Sequence, residues 1–150
     1  MDAKHLLRHL LATLAFRTRH ALREAPAGFD DFEAGLGART PCQILNHINA
    51  ILYTTELRCR GQKPDMPEEL PWHEALETFH LSLARLDQAI EESDLSDEDT
   101  LRLYQGPWLD AVTHIGQLAL LRRLYGSPVV GVNYYRADIA VGKVGRQQPV

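Results

Sequence analysis

Proline and glycine cut this chain into four long blocks in which apolar residues recur every three or four positions, a pattern that leaves little but an all-helical fold open to it. In the first block Leu7, Leu10, Leu11 and Leu14 make one stripe, predicting a helix from about Ala3 to Glu24 that Ala25-Pro26-Ala27-Gly28 stops. The second opens at Thr40-Pro41-Cys42-Gln43. This stretch combines an N-cap hydroxyl, a proline at the first helical position and a glutamine placed for a capping box. That helix should end near Gly61, and the prolines at 64, 67 and 71 make the next stretch a stiff loop. Trp72, Leu76, Phe79, Leu83, Leu86 and Ile90 then form the seam of a third helix, which ends in the polar run Glu91-Glu92-Ser93-Asp94. Ser96-Asp97-Glu98-Asp99 has the makings of a short capped turn. Gly106-Pro107 breaks the pattern, so the fourth helix is expected to begin afresh at Pro107 and to run to Tyr125, before Gly126-Ser127-Pro128. The last two dozen residues have no helical period and read as an extended, ordered tail across the bundle.

The expected fold class is therefore all-α, a four-helix bundle with an irregular C-terminal tail, built as one domain over residues 1–150. A chain of this size buries roughly 70% of its unfolded surface and needs no disulfide staples. The long connections before the second and third helices permit something other than simple up-down-up-down topology. Charges of both signs are interspersed and the formal net charge is −4, so no basic field is present to hold a phosphate backbone, and nucleic acid is not an expected partner. Arg8, His9, Arg17 and Arg19 interrupt the apolar N-terminal residues and no small-residue cleavage site follows, so neither an export signal nor a membrane span is expected. Cys42 and Cys59 fall on one helix, about 25 Å apart, too far to bridge. The cytoplasm is the expected compartment.

Asp110 and His114 stand four residues apart on the fourth helix, which projects a carboxylate and an imidazole from one face in adjacent turns. His47 belongs to the stripe Ile44, His47, Ile51 of the second helix, where an imidazole needs a polar partner. Each has an ordinary explanation: His47 as a hydrogen-bonded core residue, Asp110 and His114 as a surface pair. A divalent cation would satisfy all three together, and two histidines with one carboxylate leave coordination positions free, as catalytic metals require. The same set also suits mononuclear iron. Gln117 continues the polar line and is a candidate hydrogen-bond partner to the site. Cys42 lies about 140° around the helix from His47 and reads as a small apolar residue, not a ligand. His80 is expected at the surface or at a helix boundary, and His5, His9 and His20 in solvent. Asn133, Tyr134 and Asp138 could close over the site if the tail folds back.

The inward histidine of the second helix, the run His114-Ile115-Gly116-Gln117-Leu118 and the ending Asn133-Tyr134-Tyr135-Arg136-Ala137-Asp138-Ile139 through Gly142-Lys143-Val144-Gly145 resemble the DinB/YfiT-like superfamily of four-helix metalloenzymes. The resemblance covers essentially the whole chain. It implies a divalent metal, zinc or nickel, with His47 as first ligand and His114 as last. Asp110 stands where the family more usually has histidine; the related mycothiol-dependent maleylpyruvate isomerases have glutamate at a similar position. The resemblance further implies a small-molecule substrate, thiol-dependent transfer or hydrolysis with a low-molecular-weight thiol as possible co-substrate, and a homodimer. The contrasting expectation is a non-catalytic dimeric bundle that serves in protein interaction.

Overall fold

The computed structural model describes residues 2–145; residue 1 and residues 146–150, the end of the tail, lie outside the described residues. The elements are α1 (Ala3–Leu22), α2 (Pro41–Cys59), α3 (Trp72–Glu92), a short α4 (Asp97–Leu103), a π-helical turn (Tyr104–Trp108) and α5 (Leu109–Leu124). No strand occurs among the described residues, and the all-helical expectation holds. No helix among them is long and apolar enough to cross a membrane.

The caps form where the sequence places them. Thr40 Oγ1 accepts from Gln43 N at 3.3 Å while Gln43 Oε1 accepts from Thr40 N at 2.9 Å, the two halves of the capping box. At the other end of α2, Gly61 has φ +69°, and the bonds Gly61 N to Arg58 O and Gln62 N to Leu57 O satisfy carbonyls the helix leaves over. Gly126, with φ +85°, closes α5 in the same way through Gly126 N to Arg123 O and Ser127 N to Arg122 O.

Helix directions follow from which ends touch. Trp108, at the start of α5, donates its indole N–H to Leu7 O, and Arg122, near the end of α5, donates to Ala21 O, so α1 and α5 run parallel. Arg8 pairs with Asp87 and Glu91, which makes α1 and α3 antiparallel. Asn49, mid-α2, donates to Ala75 O near the start of α3, whereas Arg60, just past α2, meets Glu92 at the end of α3. Hence α2 and α3 are parallel, and residues 62–71 travel back along α2 to connect them. The bundle is up-down-down-up, with α5 completing it beside α1 and α2. Phe79, Leu83, Leu86 and Ile90 of the predicted seam are buried in one core with Leu7, Leu11, Leu45, Ile48 and Leu118.

Two expectations are corrected. Gly106-Pro107 does not start a new helix: it lies inside the π-helical turn that carries α4 into α5 without a break. Proline in a regular α-helix clashes with the carbonyl four residues back, and the wider π turn relieves that clash. Burial of Trp108, 2% exposed, and its bond to Leu7 hold the turn in place. The histidine expectations fail for His20 and His80. His20 is buried with Nε2 at 2.7 Å from Val130 O, His9 is half-buried, and only His5 of the three is exposed. His80 sits mid-α3, half-buried, its buried Nδ1 lacking a protein partner. Both imidazoles lie under the tail. Sequence distance hid this, because the covering residues are far along the chain. The tail retraces α1: Tyr134 packs edge-on against Phe16 and His20 with the Arg17 guanidinium 3.8 Å above its ring, and Val144 enters the core.

Burial, reinforced by the charge of Arg19, pushes the His80 pKa below its ordinary value, against a hydrogen bond to the Val144 backbone. The folded state therefore resists a proton that the unfolded chain accepts at about pH 6.5, so stability declines as pH falls through that value. We expect the urea unfolding midpoint to drop between pH 7 and pH 5. The drop should be shallower in His80→Gln, whose amide keeps a donor for Val144. Equal slopes in both proteins would show that His80 does not carry this dependence.

Candidate metal centre

Asp110 occupies the first turn of α5 directly after the π-helical turn, and His114 follows one turn later. His47 comes from the antiparallel α2. The packing brings His114 Nε2 to 3.2 Å from Asp110 Oδ1 and His47 Nε2 to 3.7 Å from Asp110 Oδ2. The two imidazoles stand edge to face, with centroids 4.5 Å apart and planes at 84°. One donor atom from each residue lies within 4.8 Å of the others, and the group could hold a metal ion. Tetrahedral zinc bonded at about 2.0–2.1 Å sets neighbouring donors about 3.3 Å apart, close to the 3.2 Å between His114 Nε2 and Asp110 Oδ1, and the other donors must draw in to match. Aspartate reaches both nitrogens despite its short stem.

His114 is oriented by its other nitrogen. Nδ1–H donates to Gln117 Oε1 at 2.8 Å, which turns Nε2 towards Asp110 and His47. This is the outer hydrogen bond that metal-ligating histidines use to fix tautomer and ring plane. His47 is pushed towards the neutral, ligating form, first by burial and then by the nearby charges of His114 and Arg39, against the opposing pull of Asp110. The Asp110 side chain is 49% exposed while that of His114 is only 11% exposed, so the trio is open on the carboxylate side.

Each member of the trio opens onto a different depression. His47 lines a cavity of about 440 Å³ with Arg39, Asn46 and the loop residues Met66 to Glu69. His114 and Gln117 line an apolar one of about 400 Å³ with Ile44, Leu120 and Leu124. Asp110 borders an open groove of about 510 Å³ with Thr54, Thr55 and Thr113. Gly37, Ala38 and Arg39 form the wall shared by the first two.

The predicted trio thus converges, with Gln117 beside it. Cys42 is half-buried and points elsewhere, its thiol donating to Leu70 O at 3.6 Å. Among the described residues the tail does not close over the trio: Tyr134 is committed to α1, and Asn133 and Asp138 line none of the three depressions. Sequence reading missed Arg39 and the wall Met66 to Glu69. Arg39 directly precedes the strongest cap in the chain and so was readable as close to the start of α2. The loop's return along α2 had no such signal. No protein-family model, characterised protein or solved structure matches this chain.

Replacing Gln117 by leucine removes the acceptor that orients His114 and should weaken zinc affinity 10- to 100-fold. Competition with a chelating dye measures this directly, and unchanged affinity would mean that Gln117 does not support the site.

Proposed function

We propose that this protein is a divalent-metal-dependent enzyme of the DinB/YfiT-like kind, with His47, Asp110 and His114 as ligands and a small molecule as substrate. The observation that carries the reading is the meeting of two imidazoles and a carboxylate from antiparallel helices within 4.8 Å, at the junction of three depressions. Zinc or nickel is the proposed metal, with iron as the less favoured choice for this donor set. Such an ion supplies Lewis-acid chemistry and stabilises hydroxide or thiolate near neutral pH. Around it, His47 and His114 act as neutral ligands, Asp110 offsets part of the charge, and Gln117 holds His114 in register.

Of the two reactions, we favour transfer of a low-molecular-weight thiol to an electrophile over hydrolysis. The sulfur of the thiolate forms the new bond to the electrophilic carbon, and the leaving group departs with its electron pair. The nucleophile must come from outside the chain. Cys42 is bonded to Leu70 O with its pKa raised, and burial pushes Cys59 up to about 11. We propose a cytoplasmic location, where both cysteines would stay free thiols.

Protein purified without chelator should carry one divalent ion per chain by elemental analysis, lost in His47→Ala and His114→Ala while the helical circular dichroism persists. Metal-free protein from metal-replete cells, or alanine variants that keep their ion, would overturn the reading. Screening thiols and electrophiles against the loaded protein then separates transfer from hydrolysis.

A second reading, a dimeric bundle that serves in interaction without chemistry, is favoured by one observation. Leu109, Leu120 and Leu124 of α5 are 45%, 55% and 58% exposed and lie along one face with Thr113 and Gly116, where nothing stands within 4 Å of an added Cβ. Light scattering should then give twice the chain mass, falling to the monomer in Leu120→Glu. A wild-type monomer would remove this reading and the homodimer together.

A further inference from the structure

Opposite charges line the cavity beside His47 without meeting. Arg39 stands on its wall near the trio, and Glu68 and Glu69 belong to the loop that forms another part of the lining. Among the described residues, Arg8, Arg60 and Arg102 each pair with carboxylates, but neither Arg39 nor Glu68 nor Glu69 takes part in a salt bridge. The guanidinium and the two carboxylates thus share a cavity of about 440 Å³ and leave each other unpaired. Its size suits a small organic molecule.

The charge balance points the same way. A divalent ion on two neutral imidazoles and one carboxylate keeps a net positive charge, and Arg39, which lines both the cavity of His47 and the depression of His114, adds another beside it. The end near the trio is therefore cationic, whereas Glu68 and Glu69 make their side of the cavity anionic. Fixed charges of this kind select a ligand whose own charges are arranged in the complementary order.

We propose that this cavity binds a small zwitterionic molecule, with Arg39 holding its anionic group beside the His47–Asp110–His114 trio and Glu68 and Glu69 receiving its cationic group. The proposal rests on the metal-dependent reading and adds the charge class of the ligand to it. Arg39 acts here as a binding residue: its planar fork of N–H donors suits a carboxylate, which a lysine would hold less specifically. Arg39, Glu68 and Glu69 are all exposed, so they can be replaced without opening the core.

Cobalt(II)-loaded protein offers a readout independent of turnover, because its visible absorption reports groups arriving at the ion. Acetate and 4-aminobutyrate serve as probes. We expect both to perturb the spectrum and 4-aminobutyrate to bind more tightly. Arg39→Gln should weaken both by about 10-fold or more, the loss of a charge-assisted hydrogen bond. The double variant Glu68→Gln, Glu69→Gln should leave acetate unchanged and bring 4-aminobutyrate down to the acetate level. Loaded protein whose affinities ignore Arg39, or which prefers acetate in every variant, would overturn the zwitterion proposal alone. Failure to take up cobalt would instead overturn the metal-dependent reading, and this proposal with it.

Discussion

Asn46 grips the peptide of Leu70 at both its groups: Nδ2 donates to Leu70 O and Oδ1 accepts from Leu70 N, each at 2.8 Å. Two such bonds contribute about 1 kcal/mol each, a modest sum. Their position matters more than their size. They end the return of the proline-rich connection at the level where α3 must begin, and Asn49 fixes the next step by donating to Ala75 O. Without this pairing only the cap bond from Gln62 N to Leu57 O and the long thiol bond from Cys42 to Leu70 O would tie residues 62–71 to α2, and the parallel α2–α3 arrangement would lose its main anchor. Because His47 is the next residue, the same grip builds the wall of the cavity that His47 lines.

The other half of the bundle is held by a different device. Arg122, 4% exposed, donates to Ala21 O and Arg23 O at the end of α1 and to Ser127 O and Oγ beyond α5. One guanidinium thus supplies donors to carbonyls at two neighbouring helix ends, where a positive charge also suits the helix dipoles. At the opposite end the Trp108 indole holds Leu7 O. With both ends tied to α1, α5 has little freedom to slide, and Asp110 and His114 inherit that rigidity against His47.

The start of α2, the stops of α2 and α5 and the α3 seam were legible in the sequence because they depend on neighbours within one turn: Thr40 with Gln43, Gly61 and Gly126 in left-handed conformation, Phe79 with Leu83 and Leu86. The trio was half legible. Spacing alone paired Asp110 with His114, but their approach to His47 depends on packing between helices 60 residues apart in the chain. The tail was the least legible part. Nothing near His20 or His80 announces that Val130 and Val144 will cover them, because Val130 lies 110 residues beyond His20. The wall bearing Glu68 and Glu69 was hidden for a related reason: prolines exclude a helix without saying which way the chain then turns.

Gly106-Pro107 shows how one local rule can mislead while the physics behind it holds. The proline is incompatible with a regular α-helix, and the chain answers with one wide turn instead of an ending. Each residue in an α-helix rotates the side-chain direction by about 100°, so a turn that takes in one extra residue rephases everything after it by a similar angle. In an unbroken α-helix from Asp97, the face that now carries Asp110 and His114 would be turned away from α2 by that amount. The same rephasing sends Trp108 inward to Leu7 and leaves Leu109 outside at 45% exposure. The π-helical turn thereby sets the phase of the helix that carries Asp110 and His114, and a proline that reads as a boundary is, in the folded chain, part of how the trio is assembled.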